Sequence, residues 1–578
     1  METTKKRIPN HLQKYVIDQQ YDRYTSIDQA VWRYVMRQNK HFLNNTAHPA
    51  YSDGLAASGI SIEKIPNVEE MNESLSPFEW GAVNIDGFIP GVIFFDFQAH
   101  GLLPIASDIR KLENIQYTPA PDIIHEAAGH APILCDDKFS EYVKLFGHIG
   151  SKAIATKEEH DVFEATRHYS NLLESGTATE AEINLAKKDM EEKQKKVTIL
   201  SEAEQISRLY WWTVEYGLIG TVNDPKIYGA GLLSSVAEGK NSITDAVEKI
   251  PFDLQQVIQT GFDITKPQPQ LFVCERFEQL IEAVEQFSET MAWKRGGTES
   301  LEKAINSAHT ATIEYSSGLQ VTGTLSKIIK DTNGEAIYMN TVGETTLNSG
   351  NKEINGHGKE THADGFGSPI GLLKDTEKPL EEWTNQELVE AGIVIGVPSE
   401  LSFESGVVVT GVPTEVIRNA GKIQVISFKD CAVTFNGETL FDPSWGSYDM
   451  AVGEKIVSVF AGAADSEAFY DHIEQAVNVE IEQQNPTRLE ELYGNVRVLR
   501  ESTNNLVDLE SSLPMIIDEL TTEAPIDWLL RIEILELLLK NDILPDKQGE
   551  LLSQLEQLKS INHETNELID RGLKIINE

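Results

Sequence analysis

Cysteine is nearly absent. The 578 residues hold three, Cys135, Cys274 and Cys431, far apart and with no CxxC pair. That excludes a disulfide framework and a cysteine zinc cage and fits a reducing cytoplasm. Basic residues are also scarce: Lys and Arg number 49 against 91 Asp and Glu, a formal charge of −42. Phosphate binding needs clustered Lys and Arg, so neither nucleic acid nor an anionic membrane surface is the expected partner. No uninterrupted apolar run reaches about 18 residues, and the basic start METTKKR has no apolar stretch behind it, so neither membrane insertion nor export is predicted. A small ligand or another protein remains.

What is present is length and a 40% hydrophobic content, enough for roughly three to four folding units with a core each. Charge is uneven: residues 1–300 carry 44 acids and 29 bases, net −15, and the remainder 47 and 20, net −27. The reading is of a multidomain chain with a mainly α unit over 1–300, a β-rich module over 301–464 and a helical C-terminal region over 465–578. In the first unit Ile27, Val31, Tyr34 and Val35 form the stripe of a core-facing helix. Residues 157–196 read as a charged helical hairpin on the surface, split at Ser175-Gly176-Thr177, with Thr179 and Glu182 at capping-box spacing. After about residue 305, β-prone segments alternate with turn signals at Ser316-Ser317-Gly318, Asn333-Gly334 and Asn436-Gly437. Strands are expected at 406–410, 422–426 and 432–435, and loop over 344–368. His357 and His362 fall in that Gly-rich stretch and read as solvent-exposed rather than as a second metal site.

The segment that can carry chemistry is Pro121-Asp122-Ile123-Ile124-His125-Glu126-Ala127-Ala128-Gly129-His130. A zinc-protease helix needs its second histidine four residues after the first, and here that position is Gly129. On an ideal α-helix His125 and His130 stand about 140° apart, too wide for one metal unless the helix ends or bends, which Gly129 and Pro132 allow. A third ligand is suggested by Glu215 within Leu209-Tyr210-Trp211-Trp212-Thr213-Val214-Glu215, since a carboxylate in so apolar a run is costly to bury without a cation. Two imidazoles and a carboxylate are the facial triad of non-haem Fe(II) oxygenases. Trp211 and Trp212, at i−4 and i−3 from Glu215, would flank it on a helix and suit an aromatic substrate.

Three blocks, PDIIHEAAGHAPIL (121–134), LYWWTVEYGL (209–218) and YGAGLLSSVAE (228–238), resemble in order the motifs of the pterin-dependent aromatic amino acid hydroxylases. The resemblance spans roughly 20–290 and is nearest to bacterial members that act on phenylalanine. It implies a catalytic domain of that type over 1–300, with 157–196 as an insertion. The implied enzyme is an iron monooxygenase converting L-phenylalanine to L-tyrosine with O2 and tetrahydrobiopterin, at Fe(II) held by His125, His130 and Glu215. It further implies Arg110 on the substrate carboxylate, Thr118 and Ser234 around the amino acid backbone, and Pro121, His125 and Trp211 against the ring. Glu126 and Tyr210 fall to the pterin and the reaction centre. Gly87 and Ile89 fall to the pterin loop, and Phe94 lies under the pterin ring with Phe95 or Phe97 as alternatives. Ser234 and Ser235 would orient His125. Tryptophan or tyrosine hydroxylation within the family, and metal-assisted hydrolysis with Glu126 as base, are the competing readings. For the residues after 300 no family resemblance is recognised, and a protein partner or self-association is the expectation for them.

Overall fold

A capping box starts the long helix Ser26–Thr46: the Thr25 side chain accepts from Asp28 N, and Asp28 returns a bond to Thr25 N at 2.9 Å. Val31, Tyr34 and Val35 are buried as the periodicity predicts, but so are Ala30, Trp32, Arg33 and Met36. The helix is covered on both sides. In the computed structural model, which describes residues 8–85, 89–116, 122–174, 178–263, 266–470, 486–502, 506–561 and 563–577, the second cover comes from the far end of the chain. Helices Arg488–Glu501, Leu529–Asn541 and His563–Asn577 pack on Ser26–Thr46. Leu529–Asn541 is apolar on nearly every side, the signature of a helix buried all round. Tyr34 donates its hydroxyl proton to Leu568 O at 2.6 Å and meets Trp528 edge-on. The 465–578 region is therefore no separate body: its helices share one hydrophobic core with residues 30–291.

Charge crosses the same junction. Arg33 sits in a bidentate pair with Glu533 (2.7 Å at the shortest), both almost fully buried, and Arg500 reaches Glu533 at 3.3 Å and Glu536 at 3.0 Å. Arg37 also pairs with Glu536.

In the catalytic half, strands β1 (Gly81–Ile85) and β2 (Leu102–Ala106) run parallel and are joined through the helix Gly91–Ala99. A second small sheet has the order β4-β3-β6-β5, from β3 (Leu218–Thr221), β4 (Asp224–Ile227), β5 (Glu248–Pro251) and β6 (Gln270–Cys274). Between them runs the helical layer that carries the site. The charged hairpin forms as helices Lys157–Glu174 and Glu180–Gln194, the latter opened by the Thr179–Glu182 capping box.

The β-rich module holds two sheets. One has the order β10-β9-β8-β7-β17, with β11 on β9, from β7 (Thr310–Tyr315), β8 (Leu319–Lys330), β9 (Ala336–Ser349), β10 (Lys352–Glu353), β11 (Gly367–Pro369) and β17 (Ile456–Ala461). The other has the order β12-β13-β14-β15, with β16 on β14, from β12 (Ser399–Ser402), β13 (Val408–Asn419), β14 (Lys422–Phe435), β15 (Glu438–Phe441) and β16 (Tyr448–Ala451). Asn436 and Gly437 both adopt positive φ (50° and 83°), the geometry a two-residue hairpin turn requires. Two expectations are corrected. The strands read at 422–426 and 432–435 are one strand, whose pairing is irregular at several points, among them around Asp430, whose φ is positive. Residues 344–349, read as loop, extend β9, because Thr345, Thr346 and Leu347 are buried against neighbouring strands. The boundary at 300 also shifts, since Ala292, Leu301 and Ala304 belong to the core of the first of these sheets. Among the described residues no helix is long and apolar enough to cross a membrane.

Candidate active site

The two histidines meet because their helix is not an α-helix. Ile124–His130 is a π-helix, in which hydrogen bonds run to the fifth residue and residues five apart share a face. The 140° separation of the α-helical reading disappears: His125 Nε2 and His130 Nε2 lie 3.3 Å apart. Gly129 does not end the helix, as the sequence reading allowed. A Cβ there would stand 2.6 Å from Ala230 O, so glycine lets the π-helix press against the helix Ala230–Ser234. Glu215 arrives by the same device, since the helix Glu202–Tyr210 passes into a second π-helix, Trp211–Glu215, closed by Tyr216 N donating to Trp211 O at 2.8 Å.

Glu215 places one carboxylate oxygen 3.2 Å from His125 Nε2 and the other 3.2 Å from His130 Nε2. Three donors thus face one point, with two imidazoles and a carboxylate as the set. Beside them Glu126 is buried, and its Oε2 has no hydrogen-bond partner among the described residues while lying 3.8 Å from His130 Nε2. A divalent cation fits this donor set and relieves the buried negative charge. Burial raises Glu126 above the usual carboxylate range. Glu215 goes the other way: burial opposes its charge, but the two imidazoles prevail and hold it well below that range.

Burial also works against a charged His125, yet the adjacent Glu215 outweighs it and raises the imidazole to about 9. In the metal-free chain that proton is stabilising at pH below the ordinary imidazole value, and its contribution is lost as pH rises through about 9. A metal must displace it. Loading the metal-free protein near neutral pH is expected to release about one proton from His125, with apparent affinity rising up to about pH 9. Calorimetry in buffers of different ionisation enthalpy measures the release, and a result independent of buffer would contradict it.

Ser234 Oγ lies 3.1 Å from His125 Nδ1 while donating to Ala230 O at 2.8 Å, so it fixes the ring facing the donors. Ser234→Ala is expected to weaken metal binding by about 10- to 100-fold with the fold intact, read by metal competition and circular dichroism. Ser235, read as a second partner of His125, instead caps the helix Val236–Ser242 by accepting from Glu238 N.

Arg110 is buried and held by Asp122: Nε donates to Oδ2 and Nη2 to Oδ1, both at 2.8 Å, and Arg110 N adds a third bond at 3.0 Å. Asp122 Oδ1 also accepts from His125 N at 3.1 Å, which ties the guanidinium to the start of the π-helix. Against the cost of burial, Arg110 holds Asp122 below the usual carboxylate range. Arg110 Nη1 makes no hydrogen bond to the described residues. The sequence reading gave Asp122 no role; an acid three residues before the first histidine, at a helix start, was the available signal.

Trp211 is stacked between Phe262 (ring centroids 4.3 Å, 10°) and Tyr216 (4.6 Å, 27°), and its indole N–H has no partner among the described residues. Trp212 does not flank the site. It is fully buried, donates to Thr260 O at 2.8 Å and meets Phe272 edge-on. The π-helix rotates the two indoles onto different faces, and sequence reasoning missed Phe262, which lies in no motif.

Tyr210 is buried, accepts from Gln98 Nε2 at 2.6 Å and meets Phe94 edge-on at 5.9 Å; Phe94 in turn meets His130 at 6.3 Å. Burial, aided by Glu215, lifts the Tyr210 phenol well above its ordinary value and keeps its proton. Of the three phenylalanines offered for the pterin, Phe95 is packed in the core against Phe146 and Tyr210, and Phe97 is fully buried in a satellite cluster, so only Phe94 retains an accessible face. Ile89 packs on that satellite cluster with Leu12, Val83 and Ile85. Gly87, Thr118 and Pro121 lie outside the described residues.

This geometry defines a class: a metal-dependent enzyme with a two-histidine, one-carboxylate centre beside a buried arginine and an aromatic stack. A family model described as biopterin-dependent aromatic amino acid hydroxylase matches residues 3–184 and 197–308, just over half of the chain, and the protein belongs to that family. It is a pterin-dependent aromatic amino acid hydroxylase. The match breaks only at 185–196, a narrower interruption than the 157–196 insertion read from sequence. The chain is 28% identical over 272 residues to a phenylalanine-4-hydroxylase of Mesorhizobium japonicum, covering 46% of this chain and 82% of that protein. It is 27% identical over 285 residues to one of Chromobacterium violaceum, covering 49% and 81%. A crystal structure of the Chromobacterium violaceum enzyme with bound oxidised Fe(III) overlaps with a TM-score of 0.39 at 25% identity, over 48% of this chain and 87% of that one.

Proposed function

We propose that the protein converts L-phenylalanine to L-tyrosine at an Fe(II) centre held by His125, His130 and Glu215, with tetrahydrobiopterin and O2 as co-substrates. The observation that carries this reading is the convergence of those three side chains, 3.2–3.3 Å apart, inside the family match. The relatives' names supply the substrate. Iron and pterin together supply the activated oxygen and its electrons. The chain's own residues do the rest. Ser234 and the backbone bond from His125 to Asp122 fix the first imidazole. Arg110, oriented by Asp122, offers Nη1 to the substrate carboxylate, and the family resemblance assigns Thr118 and Ser234 to the amino acid backbone. The Phe262–Trp211–Tyr216 stack gives the substrate ring an apolar wall that excludes water, and the family resemblance assigns Pro121 to the same ring. Phe94 offers a face to the pterin ring, and the family resemblance assigns Gly87 and Ile89 to the same cofactor. Tyr210 holds its proton next to it, and burial favours the neutral form of Glu126. A cytoplasmic setting suits all of these groups.

Iron-loaded protein supplied with phenylalanine, a tetrahydropterin and oxygen is expected to form tyrosine with matching pterin oxidation, followed by chromatography of the product. Faster formation of hydroxytryptophan or of dihydroxyphenylalanine from the other aromatic amino acids would overturn the substrate. Retention of zinc with no oxygen uptake would favour hydrolysis through Glu126.

A further inference from the structure

The two histidines read as solvent-exposed are buried: His357 is 7% and His362 9% exposed. Both lie on residues 354–366, a connection from β10 to β11 with no regular structure beyond one bridge from His362 to Thr345. Long structureless connections inside a compact module are uncommon and are usually functional. Backbone bonds fix both positions against β9, with Leu347 N donating to His357 O at 3.0 Å and Thr345 N to His362 O at 3.1 Å. Asp449 comes from β16, in the other sheet. Its Oδ2 stands 3.4 Å from His357 Nδ1 and 3.5 Å from His362 Nε2, and its side chain is 8% exposed. Ser427, directly opposite on β14, donates to Asp449 Oδ1 at 2.5 Å and turns Oδ2 toward the two rings.

Neither of these ring nitrogens has a hydrogen-bond partner among the described residues. Two orphaned buried nitrogens aimed at one carboxylate oxygen demand an explanation. A simple ion pair does not supply it, because a charged imidazole would close on the carboxylate to about 2.8 Å, and both distances are well beyond that. A cation does. Ligands about 2.1 Å from a tetrahedral metal stand about 3.4 Å apart, against about 3.0 Å around an octahedral one. The two measured edges match the tetrahedral value, and all three donors lie within 4.8 Å of one another.

We propose that His357, His362 and Asp449 form a second metal site, taking a divalent cation of the zinc type with a water as fourth ligand. It fastens the 354–366 connection, and with it the first sheet of the β-rich module, to the second. The carboxylate hydrogen-bonded to Ser427 has the outer support that metal ligands ordinarily receive. The site is independent of the catalytic centre and does not rest on the reading of that centre.

The test uses full-length Glu215→Ala protein, in which the catalytic donor set is broken and the β-rich module is unaltered. After incubation with zinc chloride and removal of loose metal, it is expected to retain one zinc per chain, lost when His362→Gln is added. Zinc should raise the melting temperature of Glu215→Ala and leave that of the Glu215→Ala/His362→Gln chain unmoved. Cobalt(II) in Glu215→Ala alone should give the strong visible absorption of a four-coordinate ion, a readout that needs no substitution in the module. No retained metal in Glu215→Ala, metal retention unaffected by His362→Gln, or a weak six-coordinate cobalt spectrum would each overturn the proposal.

Discussion

Glu215→Ala protein is expected to fold, to bind iron at the catalytic histidines at least about a hundredfold more weakly, and to lose tyrosine formation to a similar or greater degree. The bound follows from outer partners of metal ligands, whose removal alone costs about 10- to 100-fold; Glu215 is itself a donor and supplies the only carboxylate within 3.2 Å of both imidazoles among the described residues. Without it, two imidazoles and the more distant Glu126 remain, and the charge that raises His125 is gone. The backbone is not at issue, because the π-helix that carries Glu215 is closed by Tyr216 N and Trp211 O rather than by the side chain. Iron content, tyrosine yield and circular dichroism on the same sample separate the three quantities. Retention of iron and of coupled hydroxylation would remove Glu215 from the donor set.

Glu533→Ala is the second large effect, and it falls about as far from the chemistry as the sequence allows. Glu533 is 4% exposed and bonds to Arg33 in bidentate fashion, with Arg500 at 3.3 Å. Truncation leaves two guanidinium groups buried against an alanine, and breaking one side of a buried ion pair costs about 3–5 kcal/mol. Chemical denaturation of the full chain measures it; a loss below about 1 kcal/mol, the level of an exposed pair, would show that the junction is hydrated. Removing residues 486–578 altogether is expected to be worse. It would expose Arg33 and Tyr34, which bond to Glu533 and Leu568, on a helix whose other side is already committed to the catalytic core. The C-terminal helices therefore belong to the folding of the hydroxylase unit, and residues 1–300 alone are expected to aggregate rather than to form a free catalytic domain.

Much of the site was legible in the sequence, and the failures have a common cause. His125, His130 and Glu215 could be named because two imidazoles, a neighbouring acid and a carboxylate in an aromatic run are costly together unless a cation joins them. Their convergence could not be derived, because the α-helical period puts the histidines on different faces, and the shift to a π-helix is set by packing against Ala230–Ser234 through Gly129. In the second π-helix, Trp211–Glu215, Trp212 goes into the core and Trp211 stays in the stack with Phe262. His357 and His362 were misread for a related reason: a Gly- and Asn-rich segment looks solvated when its partner, Asp449, stands on a strand more than eighty residues away.

The sequence by itself determined the class of chemistry, the absence of a cysteine framework, the succession of a helix-rich, a strand-rich and again a helical part, and the turn at Asn436-Gly437. These follow from side-chain type and local period, which any stretch of chain carries with it. Only the tertiary structure decided that the histidines share a face, that Arg110 is oriented by Asp122, that the last helices complete the catalytic core and that a second set of donors meets between two sheets. Each of these depends on groups distant in sequence being forced together by burial, and no local pattern encodes which distant group will arrive.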